Sequence, residues 1–223
     1  VNTLISPAKI KNMTYMNPIT SNAGLDVYEN PIKDKTYVCT VDVARGVSKD
    51  YSAFVIMDVT QMPFKIVAKF RNNEIRPLLF PHTIEKVCKA YNHAHVLVET
   101  NDLGQQIAES LQFELEYDNL LMTTQRGRAG QILGAGFSGR GSGFGVKMTK
   151  QIKKIGCANI KTLIESDKVF INDFNIIEEM STFIRKGQSW QADDGSTDDL
   201  MMCLVIFGWL SNQPFFKEMT DTN

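Results

Sequence analysis

The sequence predicts a mixed α/β domain, in which antiparallel and parallel strands share a sheet flanked by helices. Three observations predict it. Thr36–Ala44, Ser52–Thr60 and Phe64–Arg71 are apolar, β-branched runs separated by turn residues, the pattern of a three-strand antiparallel meander. After the meander, helical and strand patterns alternate, which is how a sheet acquires parallel strands with helices on its faces. At 223 residues and 43% apolar composition, the chain is long enough to bury a core of its own.

Residues 1–35 carry Pro7, Asn17-Pro18, Ser21-Asn22-Ala23-Gly24 and Asn30-Pro31, dense turn chemistry with little periodicity. They read as an interdomain linker or leading surface segment, ahead of a domain spanning residues 36–223. Arg45–Asp50 is a turn between the first two strands. Pro81–Asn92 places Ile84, Val87, Cys88 and Tyr91 on one helical face. His95–Thr100 is a strand, and Gln105–Leu111 a helix with Asp102 as N-cap and Gln105 three residues on, a capping-box pattern. Asn119–Thr123 is a further strand. Helices follow over residues 147–155, 175–185 and 198–210.

Net charge is −1, but the charge is segregated. From Gln125 to Lys154 there are seven basic residues and no acidic one. The four cysteines are scattered without metal-ligand spacing, which fits a reducing, intracellular setting. No signal peptide is visible, and the apolar run near 200–210 is too short to span a bilayer. The chain begins on Val, so it reads as a piece of something larger.

The chemistry is carried by acids on apolar elements: Asp42 within Thr36–Ala44, Glu99 within His95–Thr100, and Asp198-Asp199 opening Leu200–Phe207. A carboxylate inside a hydrophobic strand costs several kcal/mol unless something compensates it. A hard divalent cation, which takes oxygen ligands, is the economical compensation for three such stations. Strand alternation puts Val38, Thr40 and Asp42 on one face of the first strand, and Leu97 and Glu99 on one face of the later one. If those strands are parallel neighbours, Asp42 and Glu99 meet at their carboxyl ends, where open α/β sheets bind ligands. The last helix then supplies Asp198 or Asp199 from its N-terminus. Two ions about 3.5–4 Å apart on such carboxylates can activate water and stabilise a leaving oxygen, so the set points to a metal-dependent enzyme acting on phosphate esters. Singly, two of the stations have plainer readings, helix-dipole acids at Asp198-Asp199 and a solvent-facing strand end at Glu99, whereas Asp42, flanked by apolar residues, is the hardest to dismiss. Asp50 reads as a turn residue that can approach the cluster from behind the ligands.

Eight of the fifteen glycines fall between Gly127 and Gly145. Gly134–Gly139 formally matches a dinucleotide fingerprint, but more glycines follow where a helix should open. The P-loop match fails as well, because Arg140-Gly141 stand where Lys and Ser/Thr are needed. A flexible loop bearing Arg126, Arg128 and Arg140, continued by Lys147 and Lys150, suits contact with a DNA phosphate backbone without sequence readout.

Val-Asp42-Val-Ala-Arg-Gly with Asp50-Tyr-Ser, Val-Glu99-Thr-Asn-Asp-Leu-Gly104 and Asp198-Asp199-Leu-Met-Met-Cys-Leu204 together resemble the C-terminal nuclease domain of the large terminase subunit of tailed bacteriophages. The contractile-tailed, headful-packaging type is the nearest in pattern. The resemblance implies a ribonuclease H-like fold and an endonuclease dependent on Mg²⁺ or Mn²⁺, with two ions, that cuts concatemeric viral DNA during packaging. It implies metal binding by Asp42, Glu99 and Asp199, with Asp198 less favoured. Relatives often carry His before the terminal pair, where this chain has Thr197. Implied partners are double-stranded DNA, a packaging ATPase domain preceding the nuclease in one polypeptide, the portal and the small terminase subunit, with no membrane. The implied location is the host cytoplasm, at the portal vertex of the prohead. Two rival functions remain: a Holliday-junction-type resolvase on the same fold, and a non-catalytic DNA-binding or docking module.

Overall fold

The computed structural model describes residues 2–45, 50–135 and 141–221. It opens with a short helix, α1 (Pro7–Lys11), where the Ser6 hydroxyl accepts the N–H of Lys9 at 3.3 Å. A hairpin follows, β1 (Thr20–Asn22) and β2 (Leu25–Val27). The meander is present as β3 (Tyr37–Asp42), β4 (Ser52–Asp58) and β5 (Phe64–Asn72). Helix α2 (Phe80–Ala90) then leads to β6 (His95–Val98), which runs parallel to β3 with Val41 opposite Val98. Sheet order is β1-β2-β5-β4-β3-β6, so antiparallel and parallel pairs share one sheet, as expected.

Alternation along β3 divides the core. Tyr37, Cys39 and Val41 face α2 together with Phe54, Ile56 and Phe80. Val38 faces the opposite layer with Val55, Met57 and Leu97. That layer holds α4 (Lys150–Glu165), α5 (Phe174–Thr182) and α6 (Asp199–Ser211). Helix α6 is apolar all round and nearly wholly buried, the signature of a helix enclosed on every side. It crosses α4 at close range because Gly156 and Gly208 meet there. A Cβ on Gly208 would collide with the Gly156 carbonyl.

Several expected details differ. Residues 1–35 carry regular structure after all: β2 pairs with β5, and Leu4 and Ile5 are buried in the α4–α6 core. Asp102 does not cap the following helix α3 (Gly104–Glu109), whose N-cap is Leu103 with no side-chain cap bond. Asp102 instead sits at φ +54° with its carboxylate 3.3 Å from Arg45. The glycine-rich stretch is not simply a loop: β7 (Leu121–Arg126) lies between β8 (Gly130–Ala135) and β9 (Ser142–Phe144) in a second, three-stranded sheet. Helix α4 is longer than expected. A short β10 (Val169–Phe170) pairs with β5, and a hairpin, β11 (Phe183–Lys186) with β12 (Ser189–Ala192), occupies what reads as the end of a helix and a loop. A last helix, α7 (Pro214–Asp221), follows α6. Among the described residues, no helix is long and apolar enough to cross a membrane.

Candidate functional site

The register of β3 against β6 sets Asp42 beside Glu99 at the carboxyl ends of two neighbouring parallel strands. Backbone contacts fix both. The N–H of Glu99 donates to the Val41 carbonyl at 3.1 Å, and Val146 pairs with Val98 and Thr100 on the other side of Glu99. Two glycines make room for this crowding. A side chain on Gly104 would strike the Glu99 carbonyl, and one on Gly145, which has φ +62°, would strike that of Val98. Asn101 exchanges two hydrogen bonds with the Met148 backbone, at 2.7 and 3.1 Å. Much of the Val-Glu-Thr-Asn-Asp-Leu-Gly run is therefore packing that holds one carboxylate.

Helix α6 delivers the terminal acids. The Thr40 hydroxyl, two residues before Asp42 on the same face, donates to the Cys203 carbonyl at 2.9 Å and ties α6 to β3. Asp198 is the N-cap of α6 but makes no side-chain cap bond; its Oδ2 accepts the N–H of Ala192 in β12 at 2.9 Å. Asp199 occupies the first helical position. The open N–H groups of Leu200 and Met201 donate to Glu179 Oε1 at 2.9 and 3.0 Å. Glu179 is 3% exposed and its other oxygen lies 3.0 Å from Arg71, whose guanidinium also stacks 4.8 Å above the Tyr51 ring.

Asp42, Glu99, Asp198 and Asp199 line one cavity of about 440 Å³, together with Asp50, Lys150 and Lys153. Desolvation and then the neighbouring Glu99 charge drive the Asp42 carboxyl well above its ordinary range. Burial also raises Glu99, against the opposing effect of its hydrogen bond with Asp42 and of Arg45 and Lys153. Burial, followed by the charge of Asp198, pushes Asp199 up to about 7. Glu179 is likewise held at about 7, chiefly by burial, although the Met201 N–H opposes the shift. Burial thus favours the protonated form of Asp42, Glu99 and Asp199, and a cation placed among them would favour the charged form. All its clustered donors are carboxylate oxygens, the set a hard divalent ion takes. Among the described residues, no three His, Cys, Asp or Glu side chains already stand in a finished ligating arrangement.

The basic residues divide. Lys150 reaches the acid cavity, whereas Arg126 and Arg128 are exposed at the far end of β7 and the turn after it, and do not line it. Lys147 is exposed beside β8, its backbone held by both ends of the Gln131 side chain at 2.8 Å. Arg140 lies outside the described residues, as do Gly46–Lys49 of the turn before Asp50. Nothing local in the sequence singles out Glu179, whose place is set by Arg71 and the start of α6. It also left Lys153 as one lysine in a basic run.

The family model for the terminase RNase H-like domain matches residues 39–205. The chain belongs to that family. Among solved structures, it is similar to the large terminase nuclease from thermophilic phage G20c with bound magnesium, at TM-score 0.69 and 20% identity, over 93% of this chain and 97% of that one. It is also similar to the large terminase nuclease domain of Thermus phage P74-26, at TM-score 0.66 and 20% identity, over 92% and 93% of the two chains. The Mn-soaked human cytomegalovirus terminase nuclease domain aligns at TM-score 0.53 and 12% identity, over 95% and 96%. These likenesses agree with the mixed, helix-flanked sheet as a ribonuclease H-like fold.

Proposed function

We propose that this domain is a divalent-metal-dependent endonuclease that cuts double-stranded, concatemeric viral DNA without sequence preference during genome packaging, in the headful manner. The observation that carries the reading is the convergence of Asp42, Glu99 and Asp199, from two parallel strands and a buried helix, on one cavity of about 440 Å³. Membership of the terminase RNase H-like family supports it, as do neighbours whose structures hold magnesium or are soaked with manganese.

The donor set fits Mg²⁺ or Mn²⁺, with Asp42, Glu99 and Asp199 holding two ions and Asp198 contributing through its remaining oxygen. When bound, such ions lower the pKa of a coordinated water and stabilise the leaving oxygen in phosphodiester hydrolysis. The chain's own residues supply the rest. Asp42 and Glu99 are fixed by β3 and β6, so little reorganisation is needed to meet the reacting phosphate. Asp198 ties β12 to the start of α6, and the positive end of that helix dipole favours a phosphate at its mouth. Asp50 also lines the cavity, and its charge helps to raise the Asp199 carboxyl. Lys150 and Lys153 in the cavity lining meet the backbone phosphates next to the cut, and Lys147, Arg126, Arg128 and Arg140 extend that contact. The assembled partners are a packaging ATPase domain of the same polypeptide, the portal and the small terminase subunit, at the prohead's portal vertex in the host cytoplasm.

The test is incubation with supercoiled plasmid in Mg²⁺, in EDTA, and as Glu99→Ala in Mg²⁺. Nicking and linearisation in the first condition alone is the expected result. DNA bound but uncut in all three overturns the assignment and favours a docking module. Preferential cutting of four-way junctions over linear duplex favours a resolvase.

A further inference from the structure

A second cavity, of about 880 Å³, opens between α4 and the β11–β12 hairpin and shares Lys150, Lys153 and Ser189 with the acid cavity. Its floor is apolar, formed by Leu4, Cys157 and the half-buried Trp190, and among the described residues no acidic one lines it. Lys150, Lys154, Cys157 and Lys161 recur at helical spacing, so three amino groups follow one stripe of α4 over about 16 Å. The charge suits a phosphate chain, but the floor does not suit the outside of a duplex, which presents phosphates and sugars and keeps base faces stacked inside. A lysine stripe beside an accessible aromatic ring is the chemistry that receives an unpaired strand, with phosphates on the charges and a base against the ring.

We propose that this cleft is a subsite for a single DNA strand flanking the cut, in which a base stacks on Trp190 and the phosphates run along Lys154 and Lys161. The proposal rests on the nuclease reading, since continuity with the acid cavity is what supplies the strand.

The chain has two tryptophans, and Trp209 is only 2% exposed, so Trp190 is the one that a bound base can touch. Intrinsic fluorescence is therefore titrated in EDTA, where no cutting occurs, with a short oligothymidine and with a blunt duplex of equal length. The oligothymidine should quench the emission saturably and in a salt-sensitive way, and the duplex should quench far less. Trp190→Phe should abolish the response, and Trp190→Ala, followed by the fluorescence anisotropy of a dye-labelled oligothymidine, should weaken binding about tenfold. A Lys154→Glu, Lys161→Glu variant should weaken it further while its circular dichroism stays unchanged. No quenching by oligothymidine, or equal quenching by duplex, overturns the subsite. If wild type then still nicks plasmid in Mg²⁺, the nuclease reading stands without it. Saturable quenching in a protein that never nicks shows a cleft that takes single strands, and overturns both the nuclease reading and the assignment of the cleft to the flank of a cut.

Discussion

Glu179 accepts the backbone N–H of Leu200 at 2.9 Å, and the same oxygen takes the N–H of Met201 at 3.0 Å. A helix usually meets its first N–H groups with a cap from its own N-terminal residue. Here Asp198, at that position, is turned to the Ala192 backbone instead, and an acid from α5 does the capping. The arrangement leaves Asp199 and the other oxygen of Asp198 available to the cavity while the helix end stays satisfied. Arg71 holds Glu179 from behind and reaches across the Tyr51 ring toward the segment that bears Asp50.

Removing that cap should be costly. Glu179→Ala leaves two buried N–H groups and the Arg71 guanidinium without their partner, an expected loss of about 2–3 kcal/mol in denaturant unfolding. Mn²⁺ affinity by calorimetry should fall with it, because the start of α6 is no longer pinned. Glu179→Gln keeps an acceptor oxygen and should retain most of the metal affinity. Equal loss in both variants would contradict the capping role.

The acids also set a pH dependence for the metal-free protein. Asp199 rises from 3.8 to about 7 and Glu179 from 4.5 to about 7, so the fold binds these protons more tightly than the unfolded chain does. Their contribution is fully present below about pH 4 and is lost as the pH climbs to about 7. In EDTA the Tm of wild type relative to Asp199→Asn should therefore decline across that window. Added Mn²⁺ should reverse the decline at neutral pH. A wild-type Tm that rises relative to Asp199→Asn between pH 4 and 7 in EDTA would contradict the shift.

Gly104 offers a test of how Glu99 is held. Any Cβ there meets the Glu99 carbonyl, so Gly104→Ala must displace either the Glu99 backbone or the start of α3. Overpacking of this kind costs about 1–3 kcal/mol. Cleavage should fall more than stability does, which single-turnover rates and thermal unfolding can separate. Normal cleavage in this variant would show that the Glu99 position tolerates the shift.

How much of this was legible in the sequence depended on how local the cause was. The meander could be read because period-two alternation and turn residues are local signals, and Val38, Thr40 and Asp42 share the face expected of them. The pairing of Asp42 with Glu99 followed from placing β3 and β6 side by side and parallel, which the register bears out. The β11–β12 hairpin escaped because Arg185-Lys186-Gly187-Gln188-Ser189 reads as a polar helix end, and only Gly187 at φ +62° marks the turn. The Asp102 capping box looked sound locally but lost to an ion pair with Arg45. Leu4 and Ile5 carry no periodicity, and only the α4–α6 core to which they dock explains them. Glycine-rich composition argued for a loop at 127–145, whereas Thr123 and Gln131 stitch much of it into strands: the Thr123 hydroxyl donates to the Gly145 carbonyl at 2.8 Å. Glu179 could not be found from sequence, since its partners lie on β5 and α6.

The most direct measurement is anomalous diffraction from crystals soaked in Mn²⁺, for wild type and for Asp42→Asn. The account predicts manganese density among Asp42, Glu99 and Asp199 in wild type, lost or reduced to one weak site in the variant. Manganese found only elsewhere, with these three carboxylates uncoordinated, would contradict it.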